Sequence, residues 1–277
     1  MLLLPAATVA GPRRLNSMRL SVDAPEVFSF ADATSRGIEA LGLVQGGFQR
    51  AGFDARLRSS AGELAGPIAL FDGRGEIRGT LRVKLASGGS YAGSLVATGG
   101  AGRYSHATGT LKLAGTTAAV PGVTVYPGRL RGSLQVKPMR PSLAARTPIH
   151  IDLRGKQTKL RFGVTAGRPY SAQLTAAGET SLPKIGSGVL LFVTDVYADG
   201  RRPITATFLG ADGTWSVRDP TLTAATLSAV TPAKVIAGTG RYRGAHGSLS
   251  YTVPTSSSTG GVSSGAFVSR LFGTLRF

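Results

Sequence analysis

The chain of 277 residues has no cysteine, only three histidines, and few aromatic residues, which make up 7% of it. Without cysteine it forms no disulfide bridge, no thiolate zinc site and no cysteine nucleophile. The histidines, His106, His150 and His246, show no spacing typical of metal ligands, so we expect neither a metal nor another cofactor. No run approaches the roughly 18 apolar residues that a membrane-spanning helix needs, so no transmembrane helix is expected.

Acidic residues are also scarce, with 14 against 32 basic residues and a net charge of +18. This balance favours an anionic polymer or surface as a partner, but a basic surface that only keeps the protein soluble would give the same composition. The charge is divided evenly: residues 1–138 carry 16 basic and 8 acidic side chains, and residues 139–277 carry 16 and 6. Because there is no basic tail, and aromatic residues do not interleave with basic runs, nucleic acid is not an expected partner.

Residues 1–16 open with an apolar segment, MLLLPAATVAG, that ends in small residues. A secretory signal carries a basic region before its apolar stretch, and this segment has none. We interpret residues 1–16 as the remnant of a signal or as a flexible apolar N-terminus. A secreted or envelope-associated protein is the corresponding expectation.

Polar and apolar side chains alternate over residues 75–85, which predicts a strand with one buried face. Residues 128–136 and 149–154 show the same alternation. Turn dipeptides such as Asp72-Gly73 and Asp212-Gly213 separate runs of this kind. Many short strands with glycine turns predict an antiparallel sandwich or barrel.

Helical periodicity is confined to two short stretches. Residues 33–43 are predicted to form a short helix, and residues 142–146 a single helical turn.

An internal repeat is the strongest pattern in the chain. Seven residues recur at a fixed offset of 138, about half the chain length: Gly100, Gly102, Arg103, Tyr104, Ala107, Gly109 and Leu111 return as Gly238, Gly240, Arg241, Tyr242, Ala245, Gly247 and Leu249. The sequence therefore predicts an all-β chain of two tandem antiparallel β-barrel domains, residues 17–136 and 149–277. The stretch 137–148, which holds three prolines, is the predicted linker.

The repeated motif has two interpretations. Glycines one residue apart permit positive φ and close backbone approach, which suits a tight corner between strands. The arginine and tyrosine then stand at the rim of the turn, where they either pack or contact a ligand. The candidate site residues are accordingly Gly100, Gly102, Arg103, Tyr104, Gly238, Gly240, Arg241 and Tyr242.

Gly99 to Tyr104, with Ala107 and Gly109, resembles the hallmark shared by dirigent proteins and allene oxide cyclase-like barrels, and the second copy matches it less completely because Ala237 replaces the first glycine. This resemblance implies an eight-stranded antiparallel barrel around an apolar pocket. Members of that superfamily bind or steer hydrophobic small molecules, and some catalyse cyclisation. No catalytic residue of the family falls within the matched segment. The acids considered for that role, Asp54 and Asp195, are offset by 141.

The expected function is to bind a small apolar molecule, or to steer its reaction sterically, inside a barrel. Candidate inward residues are Ile77, Leu81, Val83, Leu130, Leu134, Leu249, Leu271 and Leu275. Two alternatives stay open. A cyclase or isomerase needs a buried carboxylate or tyrosine beside an open pocket. A non-catalytic envelope protein that binds polyanions has filled barrels instead.

Overall fold

The computed structural model of the chain describes residues 18–34, 37–120, 123–137, 147–161, 164–165, 168–169, 172–182, 186–223, 230–252 and 266–276. The N-terminal segment 1–16, the predicted turn at 142–146 and most of the 137–148 linker lie outside these residues. Among the described residues, no helix has the length and hydropathy needed to cross a bilayer.

Among the described residues, the first half of the chain forms ten strands: β1 (Met18–Thr34), β2 (Gly37–Gly46), β3 (Gln49–Ser60), β4 (Glu63–Phe71), β5 (Gly75–Leu85), β6 (Ser90–Gly102), β7 (Thr108–Thr116), β8 (Ala118–Val120), β9 (Val123–Val125) and β10 (Gly128–Val136).

The second half forms ten more: β11 (Thr147–Arg161), β12 (Val164–Thr165), β13 (Arg168–Pro169), β14 (Ala172–Leu182), β15 (Gly186–Val196), β16 (Ile204–Gly210), β17 (Thr214–Asp219), β18 (Val230–Gly238), β19 (His246–Thr252) and β20 (Ala266–Arg276). A 3-10 turn, Gly240–Tyr242, follows β18.

These strands pair as two rings. Ring 1 consists of β1 to β7 and β10, each hydrogen-bonded to its neighbour, and β10 pairs with β1. Ring 2 consists of β11 and β14 to β20, and β20 pairs with β11. Short hairpins, β8–β9 and β12–β13, lie between the ring strands along the chain. Every pairing is antiparallel, which confirms the prediction of an antiparallel all-β chain.

The ring interiors are apolar because alternate residues of each strand point inward. In β5, Ile77, Leu81 and Val83 are buried and Arg78 and Arg82 are exposed, as the alternation over 75–85 predicts. Leu85, at the end of that strand, is 50% exposed.

Of the eight candidate inward residues, seven are buried in the core of ring 1 or ring 2, namely Ile77, Leu81, Val83, Leu130, Leu134, Leu249 and Leu275. The side chain of the eighth, Leu271, lies outside the described part.

The prediction of a helix over 33–43 is wrong. β1 runs to Thr34, and the segment from Gly37 to Gly46 is β2. Both faces of β2 are buried, since Ala40 and Val44 face the core of ring 1 while Leu41 and Leu43 face ring 2. A strand that is buried on both faces carries apolar residues on both, so apolar and polar residues no longer alternate along it. Its sequence pattern can then be mistaken for that of a helix.

The rings pack against each other through outward-facing apolar side chains. Leu41, Leu43 and Phe71 of ring 1 meet residues of ring 2, which are Val189, Leu191 and Leu209. A Cβ added to Gly52 would lie 2.7 Å from Cβ of Val189, so the glycine allows the two sheets to approach closely. The result is one apolar seam between two separate interiors.

Candidate functional site

The repeated motif forms the same corner in both rings. In ring 1, Gly102 has φ +58°, and the N–H of Arg103 donates to the carbonyl of Arg74 at 2.8 Å. In ring 2, Gly240 has φ +57°, and the N–H of Arg241 donates to the carbonyl of Asp212 at 2.8 Å. The positive φ explains why glycine occupies this position.

The tyrosines of the motif lie in the ring interiors rather than at the rim. Tyr104 is 1% exposed and Tyr242 0%. Each rests over a glycine at the start of the facing strand: a Cβ on Gly75 would lie 2.7 Å from the ring of Tyr104, and one on Gly213 would lie 2.8 Å from that of Tyr242. These glycines, which the motif did not include, share its offset of 138. The arginines are half-buried, and Arg241 pairs with Asp212 at 3.4 Å.

A buried carboxylate stabilises the ring 1 corner through hydrogen bonds. Asp72 Oδ2 accepts from the hydroxyl of Tyr104 at 2.5 Å and from the guanidinium of Arg74 at 3.0 Å. Its Oδ1 accepts from the backbone N–H groups of Arg74 at 2.8 Å and Gly75 at 3.1 Å. Burial, followed by the charge of Asp72, raises the pKa of Tyr104. Both oxygens of Asp72 accept hydrogen bonds from groups of the corner itself, so this carboxylate stabilises the corner.

A second buried carboxylate lies in ring 2. Asp219, 1% exposed, is the last residue of β17, whose inward face carries Trp215, Val217 and Asp219. Its Oδ1 accepts from the backbone N–H of Thr221 at 2.8 Å and from that residue's hydroxyl at 2.7 Å. Its Oδ2 accepts from the hydroxyl of Tyr251 at 3.1 Å. One carboxylate oxygen therefore has a single, longer contact.

Asp219 and Tyr251 border a cavity inside ring 2. Its free volume is about 10 Å³, and its lining is completed by apolar residues, which are Phe192, Ile204, Ala206, Val217 and Ala233. That volume is near what one water molecule needs. Small-molecule sites combine an apolar lining with a few converging polar groups but have volumes of about 300–1,000 Å³, so this cavity has such a lining and only the volume of a water molecule.

A third polar group in the ring 2 core has no partner. Trp215 is fully buried and stacks on Phe208 with ring centroids 5.4 Å apart, and its indole Nε1 makes no hydrogen bond to any residue that the structure describes. A buried donor without an acceptor costs about 1–3 kcal/mol, so such groups call for an explanation. The interior of ring 2 thus holds a carboxylate, a hydroxyl and an unused N–H donor.

The acids considered from the sequence do not lie in either interior. Asp54 alternates with Phe53 and Ala55, which face the core of ring 1. Asp195 shares the outward face of β15 with Leu191 of the seam. The alternation of Trp215, Val217 and Asp219 is the sequence signal for the site, because an acid there continues an apolar strand face.

The histidines do not form a site in the described part of the chain. His106 and His246 are exposed, and no group of three or more potential metal ligands was found among the described residues.

Comparison with protein-family models, with curated proteins and with solved structures gave no match for this chain. The resemblance of the corner motif to dirigent and allene oxide cyclase-like barrels therefore stays a prediction.

Proposed function

We propose that the chain is a duplicated pair of β-barrels, secreted or envelope-associated, whose second barrel binds a small apolar molecule bearing one polar group. The observation that carries this proposal is the buried pair Asp219 and Tyr251 beside the cavity in ring 2. Ring 1 then serves as a structural support.

The duplication is supported by the corners and by the strand count. Each ring has eight strands, and each corner has the same glycine φ and equivalent backbone hydrogen bonds at an offset of 138. The buried polar groups break this symmetry, since Gly210 of ring 2 stands at the position of Asp72. The repeat has no acid at the ring 1 position that corresponds to Asp219, which is why the ligand is assigned to ring 2.

The lining determines what fits. Apolar side chains favour a hydrocarbon body, and Asp219 accepts a hydrogen bond from a ligand hydroxyl or N–H. Because the free space is that of about one water molecule, a larger ligand enters only when Phe192 or Ile204 shifts. Binding thus buries the hydrocarbon body against apolar side chains and adds one oriented hydrogen bond to Asp219.

Alcohols of increasing size test the proposal, with binding measured by titration calorimetry and thermal unfolding. We expect cyclohexanol and menthol to bind, and menthane, which lacks the hydroxyl, to bind more weakly. At ten times the dissociation constant, linkage gives about 1.4 kcal/mol of stabilisation, or a Tm rise of about 3–6 °C.

Two variants test whether the ligand binds in the cavity of ring 2. Asp219→Asn keeps the size but removes the charge, and we expect about tenfold weaker alcohol binding because hydrogen bonds to charged groups contribute about 1.5–3 kcal/mol. Ala233→Val fills the cavity and should abolish binding. The control is Asp199→Asn, which alters an exposed turn carboxylate. Equal affinity of the Asp219 and Asp199 variants, or no binding by the native protein, would contradict the proposal.

A cyclase or isomerase is the second candidate, and the same buried acid favours it. A positioned carboxylic acid can protonate a bound molecule, and a carboxylate in the same place can remove a proton from one. Gas chromatography of bound alcohols and their unsaturated analogues after incubation separates the two functions. Unchanged molecules support a binding protein, and rearranged molecules that disappear with Asp219→Asn support the enzyme.

A further inference from the structure

A row of basic side chains crosses the outer face of ring 1. The strand registers place Arg58 opposite Ala65, Ala65 opposite Arg82, and Arg82 opposite Ser94. The row continues from Ser94 to Lys112 and from Lys112 to Arg131. Four cations therefore lie on one line perpendicular to six consecutive strands, β3 to β7 and β10.

The row is accessible. Arg58, Arg82, Lys112 and Arg131 are all exposed, and the residues between them, alanine and serine, are small. Within the part of the chain that the structure describes, no acidic side chain pairs with Arg58, Arg82 or Lys112. Arg131 pairs with Asp23 at 3.2 Å.

A row of hydroxyl side chains runs beside the basic row. Thr80, Thr110 and Ser133 lie two residues along their strands from Arg82, Lys112 and Arg131, a shift of about 6.7 Å. Ser21 of β1 continues this hydroxyl row opposite Ser133, while the β1 residue opposite Arg131 is Asp23, which ends the basic row. Thr80 and Thr110 are separated by Val96, and Thr110 pairs directly with Ser133. The outer face thus offers cations and hydroxyl groups in parallel lines.

We propose that this face of ring 1 binds a flexible, linear anionic polysaccharide. The row curves around a ring, so a flexible chain can follow it, whereas a flat bilayer would contact only part of it. Strand spacing of about 4.8 Å puts Arg58, Arg82 and Lys112 about 10 Å apart, which matches one anion on every second sugar better than closely spaced phosphates. The hydroxyl row provides partners for sugar hydroxyls.

Nucleic acid fits this face less well. Single-strand binders add aromatic side chains on which bases stack. Among the described residues, the large exposed apolar side chains are Met18, Leu85, Val96 and Ile236, and none is aromatic.

The test uses the full chain on immobilised hyaluronan, which carries one carboxylate per disaccharide, across a salt series. The variant Arg82→Thr with Lys112→Thr removes two adjacent cations of the row. The charge-matched control, Arg218→Thr with Lys234→Thr, removes two exposed, directly paired cations of ring 2. Unchanged thermal unfolding shows that both variants fold.

We expect the ring 1 pair to lose about tenfold in affinity and to make binding less sensitive to salt, since two exposed ionic contacts that salt screens are removed. The ring 2 pair should change affinity by less than about twofold. Thr110→Val, which keeps the size and removes a hydroxyl, should weaken binding to hyaluronan but not to polyphosphate.

Three results would overturn the proposal. Equal losses for the two pairs would show attraction by net charge alone. Tighter binding to poly(dT) or to polyphosphate than to hyaluronan at equal charge would assign the face to another polymer. Retention on phosphatidylglycerol vesicles without retention on hyaluronan would assign it to a membrane.

Discussion

At the scale of single residues, the buried tyrosines, two of which belong to the repeated motif, make the stability of the fold depend on pH. Tyr104 and Tyr242 anchor the corners, and Tyr91 donates its hydroxyl to the carbonyl of Tyr126 at 3.0 Å. Burial raises the pKa of Tyr91 to about 12 and also raises that of Tyr104 and Tyr242. A phenolate would lose its solvation in these places, so the hydroxyls stay protonated in the fold.

This burial predicts a loss of stability in alkali. Above about pH 10 the unfolded tyrosines release protons while the folded ones retain them, so the folded chain binds more protons and its free energy of unfolding falls as pH rises. The contribution of Tyr91 to this fall ends at about pH 12, where Tyr91 also titrates in the fold, while Tyr104 and Tyr242, whose pKa values are also raised by burial, continue to lower the stability. Each tyrosine contributes at most about 1.4 kcal/mol per pH unit.

Urea unfolding at intervals from pH 8 to pH 12 measures this effect. Tyr91→Phe removes one of the groups, so its stability should fall less steeply with pH than that of the native chain. Parallel curves for the two proteins would show that Tyr91 does not titrate differently in the fold.

At the scale of elements, the alternation of polar and apolar residues predicted the strands that have one buried face and one exposed face. The alternation over 75–85 and 128–136 gave β5 and β10, because each has one buried and one wet face. β2 was missed because its second face is covered by ring 2, a contact between residues distant in the chain. Asp219 was missed for the same reason, since only ring closure shows that the end of β17 borders a cavity.

The corners make a prediction about glycine. Gly240 combines a positive φ with a crowded site, where an added Cβ would overlap the carbonyl oxygen of Asp212. Gly244 also has a positive φ, but nothing lies within 4 Å of its Cβ position. Alanine at Gly244 should therefore cost about 1–2 kcal/mol of backbone strain, and alanine at Gly240 about 2 kcal/mol more. Denaturant unfolding compares the two, and equal costs would mean that the Gly240 corner relaxes freely.

At the scale of the whole molecule, the seam joins two rings whose interiors have different contents. Leu41, Leu43 and Phe71 cover Val189 and its neighbours, so each ring shields apolar surface of the other. The rings are therefore expected to unfold together although their cores are separate.

Gly52→Ala tests this coupling. The new methyl group would press on Val189, and we expect a loss of about 1–3 kcal/mol. Because the only tryptophan, Trp215, lies in ring 2, its fluorescence should show a lower Tm although the substitution is in ring 1. Gly99→Ala, at a position with nothing within 4 Å, is the control. An unchanged Trp215 transition in the Gly52 variant would show that the rings unfold independently.

The central claim is that the interior of ring 2 takes up a small apolar molecule, and Trp215 reports on that interior directly. It is the only tryptophan of the chain, is fully buried, and has a free indole N–H on the strand face that carries Asp219. Titration of the native protein with menthol, followed by Trp215 emission, should give a saturable change with one molecule per chain, shifted to higher menthol concentration by Asp219→Asn. Trp215 emission that stays constant up to the solubility limit of menthol would contradict the claim and leave ring 2 a filled structural barrel.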